Sequence, residues 1–359
     1  MSGKPRICFL TGTLNAHAGA ERMTAVMANA LAERGFPTFV LSLWDRHSCF
    51  PLADGVSHHA LSAQRPSFKR AFPSTVSGIR TFLKTHRIDT LIEVDTMLAL
   101  FTLPASLGLP VRKIAWEHCF FDQDLGRKMR RVARRLAARF DDDIVVLTDR
   151  DHARWEAALQ PRARVHTVPN PLPFTFPPVA APRQAKVVLA VGRLTHAKGF
   201  DILLRAWATV AQRASDWRLV IVGEGESRPD LERLRSQLGL VESVELPGTR
   251  DNISSLYQEA SVFCLSSRYE GFGLVLLEAM SHGLPVVSTD CEAGPRALLS
   301  DREALIVPTE NPEALASAIT ALMDNTKAAD ELANAGRQKA RSFELNLIVD
   351  QWQQLLCRR

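Results

Sequence analysis

The chain has no apolar run approaching the ~20 residues that a bilayer-spanning helix needs, so no membrane span is expected. Its opening residues, MSGKPRICFLTG, hold too short an apolar stretch for a secretory leader and run directly into a first strand. The 6 cysteines (8, 49, 119, 264, 291 and 357) include no C-x-x-C pair, which argues against a zinc site and a disulfide framework. A reducing cytoplasm suits such thiols. Only 2 tyrosines occur, and the basic residues are not interleaved with aromatics. The stacking platform of a single-strand binder is missing, so no nucleic-acid partner is expected. The first strand leads into GTLNAHAG, not into the G-x-G-x-x-G turn of a dinucleotide-binding dehydrogenase. Residues 126–140 contain no acid.

What is present is a chain of 359 residues, long enough for two domains with a sizeable core. Charge is uneven along it. Residues 1–180 carry 24 Lys and Arg against 16 Asp and Glu, a net of +8; residues 181–359 carry 20 against 23, a net of −3. A basic first half suits an anionic partner such as a phospholipid surface or a pyrophosphate.

Strand and helix patterns alternate throughout, the mark of parallel-sheet α/β domains. In the first half the strand candidates are 7–11, 38–43, 90–94, 111–116, 144–147 and 165–168, with helices at 20–33, 76–86, 97–107, 127–140 and 150–159. The stretch 169–185, PNPLPFTFPPVAAPRQA, is too rich in proline to continue a helix or central strand and reads as a linker. A second alternating series follows it, and the tail from 314 has helical periodicity.

The most informative segment is RYEGFGLVLLEAM, 268–280. It places Glu270 and Glu278 eight residues apart across a Gly-Phe-Gly turn that opens a helix. Free N–H groups at a helix start, with the helix dipole behind them, favour phosphate. Eight helical residues rise about 12 Å, roughly the span from a sugar through a diphosphate to a ribose. The backbone of Gly271, Phe272, Gly273 and Leu274 is then placed to hold the phosphates. Upstream, GRLTHAKGF (192–200) follows an apolar strand, and Arg193 and Lys198 share its loop. Two fixed cations stabilise the charge left on a departing nucleoside diphosphate without a metal.

The 268–280 segment resembles the E-x7-E signature of retaining glycosyltransferases, in particular family 4 of the sequence-based classification. The G-R-x4-K-G pattern of 192–199 matches that family as well. The resemblance is strongest over 186–310 and looser before 170. It implies a GT-B architecture: two Rossmann-like parallel-sheet domains facing a cleft, with the last helix crossing back to the first domain. The division expected is an acceptor-binding domain at 1–170, a Pro-rich hinge at 171–185, a nucleotide-sugar-binding domain at 186–343 and a crossover helix at 344–359.

The same resemblance implies roles for particular residues. Glu270 lies beside the transferred sugar, Glu278 binds the ribose hydroxyls, and Arg193 and Lys198 bind the donor diphosphate. Arg250, in the strand-ending LPGTRDN (246–252), lies where family members contact the nucleobase. That segment reads equally as an ordinary turn with Asp251 or Asn252 as the helix cap. In HAGAER (17–22) only Gly19 matches the family's Gly-Gly loop near the donor phosphates, because Ala18 occupies the first glycine position. His118, in WEHC at a strand end, matches a histidine near the transferred sugar. Strand carboxyl ends are where open α/β sheets bind ligands.

Three Asp-x-Asp triplets, 122–124, 141–143 and 149–151, admit a metal reading. It is rejected in favour of Arg193, Lys198 and the helix dipole, so neither metal nor cofactor is expected. GRKMRRVARRLAARF (126–140) carries seven basic residues. Its apolar residues Met129, Val132, Ala133, Leu136, Ala137 and Phe140 fall on one helical face. Two readings stay open and are compatible. Arg127, Lys128, Arg131 and Arg134 contact an anionic membrane or an acceptor pyrophosphate, or the helix packs its stripe on the sheet and solvates its charges.

The activity implied is retaining, metal-independent transfer of a hexose or N-acetylhexosamine. The donor is a nucleotide-sugar, UDP-linked by family analogy. The acceptor implied is a lipid-linked glycan, in surface-polysaccharide or lipopolysaccharide assembly. The protein would be cytoplasmic and peripheral on the inner face of the membrane. The rivals are a nucleotide-sugar epimerase on the same fold and a non-catalytic membrane-associated partner.

Overall fold

The computed structural model describes residues 4–124, 126–250, 252–291 and 294–358. The chain folds as two units, Met1–Pro173 with Leu345–Arg359, and Phe174–Glu344. In the first unit the strands are β1 (Ile7–Thr11), β2 (Thr38–Ser42), β3 (Val56–Ala60), β4 (Thr90–Val94), β5 (Arg112–Trp116), β6 (Asp143–Val146) and β7 (Arg164–Thr167). The helices among them are α1 (Gly19–Glu33), α2 (Phe68–Thr85), α3 (Ala99–Ser106), α4 (Lys128–Phe140) and α5 (Asp149–Leu159).

The second unit holds β8 (Val187–Val191), β9 (Arg218–Val222), β10 (Val244–Gly248), β11 (Val262–Leu265), β12 (Val286–Thr289) and β13 (Ala304–Val307). Its helices are α6 (Phe200–Arg213), α7 (Arg228–Gln237), α8 (Ile253–Glu259), α9 (Leu274–Ser281), α10 (Gly294–Leu298), α11 (Pro312–Asp324) and α12 (Thr326–Ala340). The last helix, α13 (Leu345–Cys357), belongs to the first unit.

Both sheets are parallel and share one topology. The first runs β3-β2-β1-β4-β5-β6-β7 and the second β10-β9-β8-β11-β12-β13. In each, the strand order reverses beside the unit's first strand, between β1 and β4 and between β8 and β11. Ligands of open parallel sheets sit outside the carboxyl ends of strands at such a reversal. The central strands are apolar runs and not alternating patterns because helices cover both faces. All five residues of β1 and of β4 are buried. One core of the second unit packs Trp207 among Leu203, Ile221 and Ile319. Cores of the first gather around Leu10, Leu41 and Leu83 and around Trp155 and Ile144.

The terminal helix is held to the first unit by named contacts. Arg34, the residue that ends α1, pairs with Asp350, Arg112 donates to the Leu355 carbonyl at 2.8 Å, and Trp352 meets Trp116 edge-on with ring centroids 5.1 Å apart. From Phe174 onward the proline-rich stretch packs on the second unit. Arg337 donates to the Pro177 carbonyl at 2.6 Å, and the Ala181 amide donates to the His282 carbonyl at 2.7 Å.

Two elements depart from the sequence expectation. Strand β3 was not anticipated, because only Val56 of its residues is fully buried and no apolar run marks this edge strand. Helix α2 starts at Phe68, eight residues before the expected Val76, and carries Pro73 inside it. That proline removes a single backbone donor in the helix's N-terminal half, while Ile79, Phe82 and Leu83 further along are buried. Among the described residues no helix is long and apolar enough to cross a membrane.

Candidate active site

In the second unit, the segments that leave β8 and β11 meet at the sheet's reversal point. Gly199 ends the first of them with φ +61°, and a Cβ there would lie 2.1 Å from the Ser266 carbonyl oxygen, so only glycine fits. The Ser266 hydroxyl donates to the Lys198 carbonyl at 2.9 Å, and the Arg268 amide donates to the Ala197 carbonyl at 2.8 Å. Arg268 also pairs with Asp201 at 2.7 Å and with Glu310. This stitching brings together two residues 72 positions apart: the Lys198 ammonium pairs with Glu270 Oε1. The same carboxylate accepts from the Ser267 hydroxyl at 3.0 Å. Arg193 is exposed, and its side chain makes no ion pair or hydrogen bond among the described residues.

The turn that starts α9 is glycine-dependent. Gly273, with φ +85°, is the residue before its first turn. Among the described residues nothing accepts from the backbone N–H groups of Gly271, Phe272, Gly273 or Leu274. The helix begins only at Leu274, so the expected eight-residue helical rise between Glu270 and Glu278 is not realised. Glu270 sits in the preceding turn, because two glycines around Phe272 do not propagate helix. Glu278 lies within α9, is 1 % exposed, and accepts from the Tyr257 hydroxyl at 3.0 Å.

Glycines that the sequence reading passed over complete this cradle. A Cβ at Gly223 would lie 2.0 Å from the Gly192 carbonyl oxygen, and one at Gly225 2.4 Å from that of Leu194. The signal was two glycines spaced by one residue directly after an apolar strand. A Cβ at Gly294 would come within 2.5 Å of the Phe272 carbonyl, and the Gly294 amide donates to the Glu270 carbonyl at 3.2 Å. Glu292 and Ala293, just before Gly294, lie outside the described residues. Arg250 is exposed, its guanidinium 3.4 Å from the Thr249 carbonyl. Asn252 caps α8 by accepting from the Ser255 amide at 3.3 Å; the alternative cap, Asp251, lies outside the described residues.

In the first unit, His118 follows β5. Its ring packs on Trp116 with centroids 4.3 Å apart, and its Nε2 is buried with no hydrogen-bond partner among the described residues. Burial pushes the imidazole down from 6.5 to about 4, against a smaller opposing effect of Glu117. A neutral ring with an open nitrogen is suited to hydrogen-bond a polar ligand. Gly19 opens α1 and is exposed, with Ala18 before it offering no side-chain cap.

Helix α4 corrects the expected amphipathic face. Its buried residues are Arg130, Ala133, Arg134, Ala137 and Ala138, whereas Met129, Val132 and Phe140 are 45 %, 41 % and 55 % exposed. The small alanines bring the helix close enough for two arginines to reach inward. Arg134 Nε donates to Glu117 Oε2 at 3.0 Å, and its guanidinium also donates to the Phe120 and Gln123 carbonyls. Arg134 is 2 % exposed, so it cannot contact a membrane surface as expected. Arg127, Lys128 and Arg131 of the same stretch are exposed. The aspartate triplets are largely taken up by cations. Asp122 pairs with Arg154 at 2.8 Å, Asp124 with Arg131 at 2.6 Å, Asp141 with Lys113 at 2.7 Å, and Asp143 with Arg112 at 2.6 Å.

Residues 17–176 match the family described as Glycosyltransferase Family 4, and residues 173–339 match Glycosyl transferases group 1. The chain is 29 % identical to an uncharacterized glycosyltransferase of Haemophilus influenzae, over 98 % of this chain and 99 % of the relative. It is 28 % identical, over 98 % of both chains, to a Campylobacter jejuni enzyme. That relative is named as an α-1,4-N-acetyl-D-galactosaminyltransferase of a GalNAc-GalNAc-diNAcBac-PP-undecaprenol. Among solved structures, Anabaena HepE in complex with UDP and glucose superposes with a TM-score of 0.82 at 20 % identity, covering 99 % of this chain and 100 % of that one. With two Rossmann-like sheets of this order, matched end to end by such relatives, the chain belongs to glycosyltransferase family 4 and has the GT-B fold.

Proposed function

We propose that the protein is a retaining, metal-independent glycosyltransferase. It moves a hexose or N-acetylhexosamine from a UDP-sugar to a lipid-linked glycan, in assembly of a surface polysaccharide or lipopolysaccharide. The observation that carries this reading is the meeting of Lys198 and Glu270 at the reversal point of the second sheet, beside the exposed Arg193 and the amides of 271–274, which have no acceptor among the described residues. Lys198 is paired with Glu270. A diphosphate competes for that ammonium with two or more negative charges and frees the carboxylate for the sugar hydroxyls.

The bond that breaks joins the anomeric carbon to the diphosphate oxygen, and the electron pair leaves with the diphosphate. Arg193, Lys198 and the start of α9 stabilise the charge that builds there. The acceptor hydroxyl attacks from the face the diphosphate leaves, and its proton passes to the departing phosphate oxygen. No side chain is covalently modified, and the anomeric configuration is kept. Glu278 is assigned to the ribose, Arg250 to the base, and Gly19 to close approach of the first unit's loop to the phosphates. His118 is assigned to the transferred sugar, where a neutral imidazole hydrogen-bonds a hydroxyl without adding charge. Arg127, Lys128 and Arg131 are assigned to anionic lipid or acceptor pyrophosphate, which makes the protein peripheral on the cytoplasmic face of the membrane.

A screen of nucleotide-sugars for thermal stabilisation, followed by transfer of the best binder to polyprenyl-diphosphate-linked acceptors, tests this. The expected product keeps the donor's anomeric configuration by proton NMR and forms equally well with a chelator present. Inverted product, loss of transfer on chelation, or binding of no UDP-sugar would each overturn the corresponding part. A sugar altered in the absence of acceptor would identify an epimerase instead.

A further inference from the structure

Four charged side chains meet at the carboxyl ends of β4 and β5. Arg130 of α4 donates to both oxygens of Asp95 at 2.8 Å and lies 3.3 Å from Glu117 Oε1. Arg134 holds Glu117 Oε2 from the next turn of the helix. Glu117 is further fixed by the Thr96 hydroxyl at 2.6 Å and by the Cys119 amide at 2.9 Å. These last contacts bracket His118 on both sides along the chain. Asp95 has φ +104°, a conformation that a non-glycine residue adopts only when its surroundings impose it, and its side chain stays 30 % exposed.

Tying α4 to the sheet does not need this arrangement. A buried ion network is no more stabilising than apolar packing of the same volume, and α4 carries Met129 and Val132, one and two positions from Arg130, facing outward. At this helix charges lie inside and apolar groups outside, against this strand end. The strained Asp95 is in the grip of Arg130, and His118, whose Nε2 has no partner among the described residues, directly follows Glu117.

We propose that Arg130 is a positioning residue for transfer: by gripping Asp95 and Glu117 together it fixes the turn that carries His118 and aims both His118 and Asp95 at the reacting sugars. This rests on the reading of His118 given above, but the ring-signal arm of its test does not depend on knowing the donor. Full-length Arg130→Met and Arg130→Lys proteins, with 15N-labelled histidine, are compared with the parent in three measurements: His118 ring signals, UDP binding by calorimetry, and transfer kinetics with the donor found by the screen.

In Arg130→Met the His118 ring signals are expected to move and kcat to fall about 100-fold, the scale of a misplacement of roughly 1 Å. Donor KM and UDP affinity should stay within about twofold, because the donor cradle lies in the other unit. Arg130→Lys should restore part of the rate and part of the ring signal. Should Arg130→Met fail to fold, Asp95→Asn, which keeps the shape and removes one charge, is expected to give the same split. Ring signals unmoved in every folded variant, or a rate loss matched by an equal loss of UDP affinity, overturn the proposal. Absence of UDP binding by the parent itself would sink the donor assignment and leave the ring-signal test standing.

Discussion

The two units share a sheet order and use the same end of it in opposite ways. At the reversal point of the second, charge faces outward: Arg193 is exposed, and Lys198 and Glu270 meet in a partly exposed pair. At the corresponding end of the first, charge is folded inward: Arg130, Arg134 and Glu117 are at most 2 % exposed. One topology therefore supplies a binding cradle in one half and a rigid frame in the other. The difference lies in which side chains follow the strands. Glycines after β8, β9 and β11 let backbone and long cations approach an open site, whereas a glutamate after β5 draws two arginines off the neighbouring helix.

The largest effect should come from breaking the frame. Glu117→Gln leaves Arg130 and Arg134 with one carboxylate fewer in a buried place, and loss of about 3–5 kcal/mol of stability is expected. Urea unfolding measures it, and a change under 1 kcal/mol would mean the network is not tightly coupled. The complementary experiment is in the cradle. Arg193→Ala with Lys198→Ala should weaken UDP binding by about 3 kcal/mol, on the order of 100-fold. Its melting temperature should stay near the parent's, since neither cation is enclosed. Unchanged calorimetric affinity would remove both residues from the donor site.

A pH experiment sharpens the contrast. His118 titrates near 4 when folded and near 6.5 when unfolded. Between those values the unfolded chain binds a proton that the folded one excludes. Stability therefore rises with pH across that window and is lost on acidification, by at most about 3 kcal/mol. Comparing parent with His118→Gln at pH 4.5 and 7.5 isolates it, and an identical pH dependence in both would show that the ring is not desolvated. The smallest effect is expected at the rim: Arg154→Ala breaks the solvent-exposed pair with Asp122, and the urea-unfolding midpoint should stay at the parent's.

Much of this was legible in advance, and the parts that were not have physical reasons. The strands β1 and β4 were expected at the bounds observed, because a strand buried on both faces is an apolar run with little ambiguity. The edge strand β3 escaped because SHHA is half exposed. The loop pair carrying Lys198 and Glu270 was marked by glycines that a tight turn requires. The face of α4 was misassigned because periodicity counts arginine as a surface residue. An arginine enters the interior once a carboxylate such as Glu117 waits there, and that partner is not on the helix.

Composition, strand periodicity and glycine placement were enough, in one dimension, to give two parallel α/β halves, a phosphate-shaped turn and its companion cations. Those features arise from neighbours along the chain: burial on both faces, positive φ, a helix start. Which charge meets which partner was decided in three dimensions. Lys198 finds Glu270 and Arg130 finds Asp95 only because parallel strands far apart in sequence end side by side. Whether an arginine is solvated or buried depends on the carboxylate that the fold brings to it.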